Sequence, residues 1–237
     1  LGTDDVGRDL LARSVHGAAT AVLVALGAVL LAALIGLPLG IASGVRAGST
    51  ADSVITPTAS IGQAMPAFWT GLLLAAYVAI PTDWFPATGF VGPTASVGDW
   101  VRSITLPSVA LGISGAAALA RQTRAAVAGV LRQPYVRTAV SVGYSRRSIL
   151  GSDVLRNAAI PIVTVLGVQV SLLLGGSLIV EQVFVVPGLG SLAFSAILEK
   201  DLPVVLAVVT VAALLVTVVQ LALDVLYGAL DPRVRVR

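Results

Sequence analysis

The chain has no cysteine, one histidine and one methionine in 237 residues, and Lys200 is its only lysine. Without cysteine there is no disulfide frame, no thiolate metal site and no cysteine nucleophile. A phosphate-binding loop of the form G-x-x-x-x-G-K-[ST] is missing too, because Lys200 stands in no such context. Also absent are a G-x-S-x-G nucleophile elbow, an H-E-x-x-H zinc pair and a clustered pair of carboxylates. The expectation is a chain that is not an enzyme, with no metal site and no nucleotide site of its own. Charge is scarce: 11% of residues are charged and 57% are hydrophobic, against about 25% charged in soluble domains. Such a composition leaves too little polar surface to cover a fold in water. The net charge of +3 is not gathered into one patch, so nothing points to nucleic acid.

What the chain does have is long uncharged runs. Residues 17–45, 54–82, 158–180 and 202–223 contain no Asp, Glu, Lys or Arg, and 104–120 is a shorter run of the same kind. A spanning helix needs roughly 20 apolar residues, and backbone groups in lipid have to bond within their own segment. These runs predict an all-α integral membrane protein with five spans, at 18–42, 65–81, 104–126, 158–181 and 203–227. None alternates as an outer-membrane barrel strand does. The lipid bilayer is then the solvent of the apolar faces.

Charge sets the orientation. If the 127–157 loop is cytoplasmic, every Lys and Arg except Arg8, Arg13, Arg102 and Lys200 lies inside, as the positive-inside rule requires. The opposite orientation reverses the ratio. The C-terminus is then cytoplasmic and the first residues lie outside. The sequence starts at Leu1 rather than Met, so a further span before it is expected, making six in the full chain. Residues 1–17 read as an outer amphipathic segment, with Thr3 or Asp4 capping a short helix and Leu10, Leu11 and Val15 against the membrane surface. His16 reads as structural or solvated. Trp84, Phe85 and Trp100 suit either the outer headgroup level or ordinary loop packing. Span one is expected to end near Pro38, Gly40 and Gly44, and Pro57 and Pro66 set off 52–63 as a separate helix on the cytoplasmic side.

The 127–161 stretch is the most polar long loop. Pro134 suits a first helical turn. Tyr135, Val136, Ala139 and Val140 recur at helical spacing on one face, with Arg137, Thr138 and Ser141 on the other. Gly143 can stop this helix, and Ser145 can cap the next, which leads toward Pro161. So short a helix needs a surface to dock on: lipid is one choice, another protein the other.

At these residues a resemblance appears. Arg137, Thr138 and Ala139, then Gly143 after three residues, with Asn157 and Pro161 beyond, resemble the cytoplasmic Glu-Ala-Ala loop of bacterial ABC importer permeases. Arg137 and Thr138 depart from the general pattern but resemble the form taken in the dipeptide and oligopeptide permeases of the dipeptide/oligopeptide/nickel family. Val180-Glu181, Val183-Phe184, Pro187-Gly188-Leu189-Gly190, the ending Leu230-Asp231-Pro232-Arg233 and the opening Leu1-Gly2-Thr3-Asp4-Asp5 with Gly7-Arg8-Asp9 look like the same group. The resemblance covers nearly the whole chain.

It implies a single transmembrane permease domain over 1–237 with the type I importer fold, in the bacterial cytoplasmic (inner) membrane. The implied partners are a second homologous permease, cytoplasmic ATP-binding subunits and an extracytoplasmic substrate-binding protein. ATP and Mg would sit on the partner ATPase, with no cofactor on this chain. The implied cargo is dipeptides or oligopeptides, while related importers carry glutathione and nickel complexes. Residues 134–150 would be the coupling helix region, with Tyr135, Arg137, Thr138, Ala139, Gly143, Tyr144 and Ser145 meeting the ATPase. The implied path runs between the two permeases. Its candidate lining comprises the polar residues of the spans: Gln63, Thr70, Ser114, Gln169, Ser171, Gln220 and Asp224, with Glu181 at an outer end. Gln169 and Ser171 rank first because Gly167, Gly175 and Gly176 share their span. For each, back-bonding or packing is the alternative; for Glu181 it is capping local structure. The segment 183–201 is expected to form a turn and a helix near the outer gate. An ion-gradient-driven secondary transporter is the competing class. Such proteins show internal repeats and mid-membrane charge, whereas no repeat is evident and Asp224 lies near a span end.

Overall fold

The computed structural model describes residues 2–3 and 7–230. The Asp4 cap, the 231–233 ending and the Asp224 side chain fall outside this description. The described residues are helical apart from turns, short connections and one isolated bridge between Thr3 and Asp9. In chain order the helices are α1 (Leu10–Val45), α2 (Thr50–Ala64), α3 (Ala67–Thr82), α4 (Val97–Leu131), α5 (Pro134–Ser141), α6 (Arg146–Phe184), α7 (Leu189–Glu199) and α8 (Leu202–Leu230). Wider π turns interrupt α3 at Ala75–Ala79 and α6 at Ile149–Val154.

Four helices (α1, α4, α6 and α8) are long and apolar enough to cross a membrane. The α2–α3 pair, bent by 96°, makes a fifth crossing if it is counted as one broken span. All exceed the uncharged runs that announce them. At 1.5 Å per residue, α1 is about 54 Å long, well beyond a hydrocarbon core of about 30 Å.

The start of α1 corrects one expectation. Among the described residues no separate short helix precedes the first span: Asp9 is the cap, its Oδ1 accepting from the Leu11 and Ala12 amides at 2.8 and 3.3 Å. Leu11 and Val15 are exposed, but Leu10 is buried among Leu189, Leu192 and Val204. It therefore packs on protein.

The end of α1 falls beside Gly44, as expected, and not at Pro38. The helix runs through Pro38 to Val45. Gly36, Gly40 and Gly44 form a seam against α4. A Cβ on Gly36 would lie 2.6 Å from the Ala116 carbonyl oxygen, one on Gly40 2.6 Å from that of Ala120, and one on Gly44 3.0 Å from that of Arg124. In lipid, helix association rests on such close approach, since burying apolar surface gains nothing there. Higher up, the Ser108 hydroxyl donates to the Val24 carbonyl at 3.1 Å. Contacts advance together along both helices, so α1 and α4 run parallel, as two spans crossing in the same direction must.

The bent pair bears out a separate helix at 52–63 before the span at 65–81 and adds where that helix packs. The Met65–Pro66 break fits a proline that cannot continue the preceding helix. Yet α2 is more than a cytoplasmic-side helix. Asp52 meets Arg124, Ala59 packs with Ala117 and Ala120, and Gly62 lies beside Ala117 and Ile113. Helix α2 therefore climbs along α4 to about its middle before the chain turns into α3.

At the end of the molecule holding Leu10, α6 stops at Phe184, with Val185 left-handed at φ 54°. A short turn leads to α7, the turn and helix expected at 183–201. The Gly89 amide donates to the Phe184 carbonyl at 2.8 Å, which ties the 83–96 connection to the same end. Phe85 packs onto the core of Ala79, Leu106 and Phe184, whereas Trp84 is exposed.

Candidate functional site

Helix α5 is built as its residues specify. Pro134 occupies the first turn after an extended Gln133. At its end the Tyr144 amide donates to the Ala139 carbonyl at 3.1 Å and the Gly143 amide to Val140 at 3.1 Å. This is the double bond of a Schellman stop, with Gly143 at φ 93° in the left-handed position. Ser145 then caps α6, its hydroxyl oxygen accepting from the Ser148 amide at 3.2 Å.

Val136 anchors this turn of structure. It is 4% exposed, in one cluster with Leu119 and Val127 of α4 and Ile149, Val154, Ala158 and Ile162 of α6. Ala139 packs onto the same cluster. Asn157 donates to the Tyr135 hydroxyl at 3.3 Å and to the Asp153 carbonyl at 2.6 Å, which ties the helix to α6 a second time. The two-face reading needs adjustment: Val136 and Ala139 turn inward, but Tyr135 and Val140 are exposed. Two turns of helix supply one inward stripe, and positions 136 and 139 fill it. The free surface therefore joins Tyr135, Val140, Val142 and Tyr144 with the exposed Arg137, Thr138, Ser145, Arg146 and Arg147. An apolar patch with a basic rim suits an acidic-rimmed protein groove.

The polar residues of the spans meet different surroundings. Thr70 and Ser114 bond back to their own helices, donating to the Pro66 and Leu111 carbonyls at 3.2 and 3.0 Å. Gln169 is 8% exposed and lies against Gly115, inside the contact between α4 and α6. Ser171 accepts from Gln220 of α8 at 3.4 Å. Glu181 is 1% exposed. Its carboxylate accepts from the Ser177 hydroxyl at 3.0 Å and from the Gly190 and Ser191 amides at 2.8 and 3.4 Å. It thus holds the first turn of α7, whose amides have no partners within the helix.

Gln63 differs from these. Its Oε1 accepts from the Arg121 guanidinium at 2.7 Å. The pair opens onto a cavity of ≈ 330 Å³ lined by Thr56, Gln63, Ala118, Arg121, Gln122, Arg124 and Ala125. Next to it Asp52, 5% exposed, collects five donors. Arg124 reaches it through Nε at 2.5 Å and through its second nitrogen at 2.7 Å. The Gly48 amide is at 2.8 Å and the Thr56 hydroxyl at 3.0 Å, and Ser43 donates as well. Reading the sequence for polar spans picks out Gln63 but passes over Asp52, Arg121 and Arg124. The available signal was charge beside apolar helix, with Asp52 alone among acidic residues between 10 and 82.

A family model described as "Binding-protein-dependent transport system inner membrane component" matches residues 36–236. The oligopeptide transport system permease protein AppB of Bacillus subtilis (strain 168) is 37% identical over 215 residues, covering 90% of this chain and 68% of that protein. A putative peptide transport system permease protein of Brucella abortus (strain 2308) is 39% identical over 184 residues, covering 78% and 59%. The dipeptide transport system permease protein DppB of Escherichia coli (strain K12) is 34% identical over 231 residues, covering 88% and 68%. The chain thus spans from 59% to 68% of the length of these curated relatives. In structure it is similar to a chain of the inward-facing MetNI methionine ABC transporter, with a TM-score of 0.72 at 18% identity over 93% of this chain and 97% of that one. It is also similar to a chain of an amino acid ABC transporter, with a TM-score of 0.67 at 19% identity over 94% and 95%. At such identity the likeness speaks to the fold alone.

Proposed function

The chain belongs to the binding-protein-dependent transport system inner membrane component family, and from that membership we propose that it is the permease subunit of an ATP-driven importer of dipeptides or oligopeptides. It is a multi-pass membrane protein. In this reading it pairs with a second, homologous permease. An extracytoplasmic binding protein delivers the peptide, and ATP-binding subunits on the cytoplasmic side supply the work. ATP and Mg belong to those subunits. The C-terminus lies in the cytoplasm.

One observation carries the reading: α5 and the turn after it present Arg137, Val140 and Tyr144 outward while Val136 locks α5 to α4 and α6 together. A rigid knob fixed to two long helices suits transmission of a rigid-body tilt from a partner. The peptide cargo rests on the printed names of AppB and DppB.

The test is purification of the tagged chain from its native membrane in mild detergent, followed by reconstitution of whatever complex is retained. An ATPase should copurify, and labelled dialanine should accumulate in vesicles only with ATP. Accumulation driven by an ion gradient without ATP would replace the importer with a secondary transporter.

A further inference from the structure

Arg121 occupies an unusual position. About 15 Å of helix separates it from Leu131 at the end of α4. The opposite face of α4 at this level, Leu119 and Ala120, is buried against neighbours, whereas Arg121 is exposed. A cation at such depth in a spanning helix faces protein or water rather than lipid tails.

Its surroundings are polar and roomy. The arginine meets Gln63 at the end of α2, beside the Met65–Pro66 break in the broken span. Irregular backbone within a membrane requires protein or water around it. The second arginine of the cavity, Arg124, has its guanidinium committed to Asp52 by two bonds. Arg121 carries five N–H donors, and the bond to Gln63 occupies one of its nitrogens. Ala118 and Ala125 leave space beside it. A planar guanidinium held by an amide in a polar cavity is suited to two-point binding of a carboxylate.

We propose that Arg121, oriented by Gln63, is a binding site for the carboxylate of a peptide passing through the membrane. This rests on the peptide-importer reading above. Gln63 is the positioning residue and Arg121 the contact. In the fold, Asp52 keeps Arg124 from competing for the same anion.

These 237 residues hold no cysteine, so a thiol introduced here can be followed on the complete transporter in vesicles, with labelling read on this subunit after gel separation and against the parent complex without the added thiol. Ala118→Cys places one thiol in the cavity. Its modification is followed with anionic sulfonatoethyl methanethiosulfonate and with cationic trimethylammonioethyl methanethiosulfonate. The anionic reagent should react on the order of ten times faster relative to its rate with a free thiol, as expected for a focused positive potential. Arg121→Gln should abolish that preference, and Gln63→Leu should reduce it. Trialanine should slow the anionic reagent, and trialanine amide should not.

Equal rates for the two reagents, no reaction with either, or an unchanged preference in Arg121→Gln would overturn the site. Protection that follows the anionic-lipid content of the vesicles and ignores trialanine would assign the cation to lipid phosphate and overturn it equally. ATP-driven trialanine uptake is measured on the same vesicles. If uptake succeeds while the charge preference is missing, only this inference falls. If uptake fails while the preference stands, the importer reading falls and takes the peptide assignment with it.

Discussion

Asp52 and Arg124, 72 residues apart in sequence, form a two-point ion pair that fastens the start of α2 to the lower half of α4. Asp52 is nearly closed to solvent while Arg124 stays one-third exposed. Losing one partner leaves the other without its counter-charge. Asp52→Asn and Arg124→Gln should each lower the thermal midpoint of the purified complex, and the double variant Asp52→Asn/Arg124→Gln should lose less than the sum of the two single losses. Additive losses, read by fluorescence-detected size-exclusion chromatography after heating, would mean the pair is not coupled.

The seam between α1 and α4 gives a sharper contrast. Gly36→Val places its Cβ 2.6 Å from the Ala116 carbonyl oxygen and should cost about 1–3 kcal/mol through overpacking. Gly175→Ala, within α6 and with nothing within 4 Å of an added Cβ, should not lower the melting point. Equal behaviour of the two variants would count against the close approach.

Gly143 separates conformation from contact. A Cβ there meets no neighbour, yet φ is 93°. Gly143→Leu should therefore cost about 1–2 kcal/mol from the backbone alone, and Gly143→Asn less. Under the importer reading, Gly143→Leu should insert normally but hydrolyse ATP without peptide-stimulated coupling to uptake. Normal stimulation and uptake in that variant would remove the coupling role.

Glu181 offers a choice between path and scaffold. Its carboxylate holds the Gly190 and Ser191 amides, so Glu181→Ala should destabilise the complex by about 1–2 kcal/mol, the cost of a lost helix cap. The ranking of peptides in uptake should not change. An altered ranking with an unchanged melting point would show a substrate contact instead.

Much of the fold was legible. The all-α membrane architecture and the importer-permease family follow from the uncharged runs and the 137–161 pattern, and both hold. Pro134, Gly143 and Ser145 punctuate α5 where their chemistry says they should. Helix lengths were less legible. Spans are announced by their lipid-facing stretch, but Asp9 and Ser96 cap α1 and α4 beyond it. The Gly36–Gly40–Gly44 seam was not legible, because beside Pro38 the glycines at 40 and 44 suit a helix end as well as a packing face. The Arg121–Gln63 pair was not legible, because it depends on how far α2 climbs along α4, a tertiary fact that no local pattern encodes.

That glycine ladder restricts how the molecule can change shape. With backbone resting on backbone along the lower half of α1, those two rods have no room to slide or pivot against each other. Any opening and closing has to bend elsewhere, at the kink after Ala64 or the bend after Phe184. The seam, with α2 fastened to it through Asp52 and Arg124, is the fixed jaw.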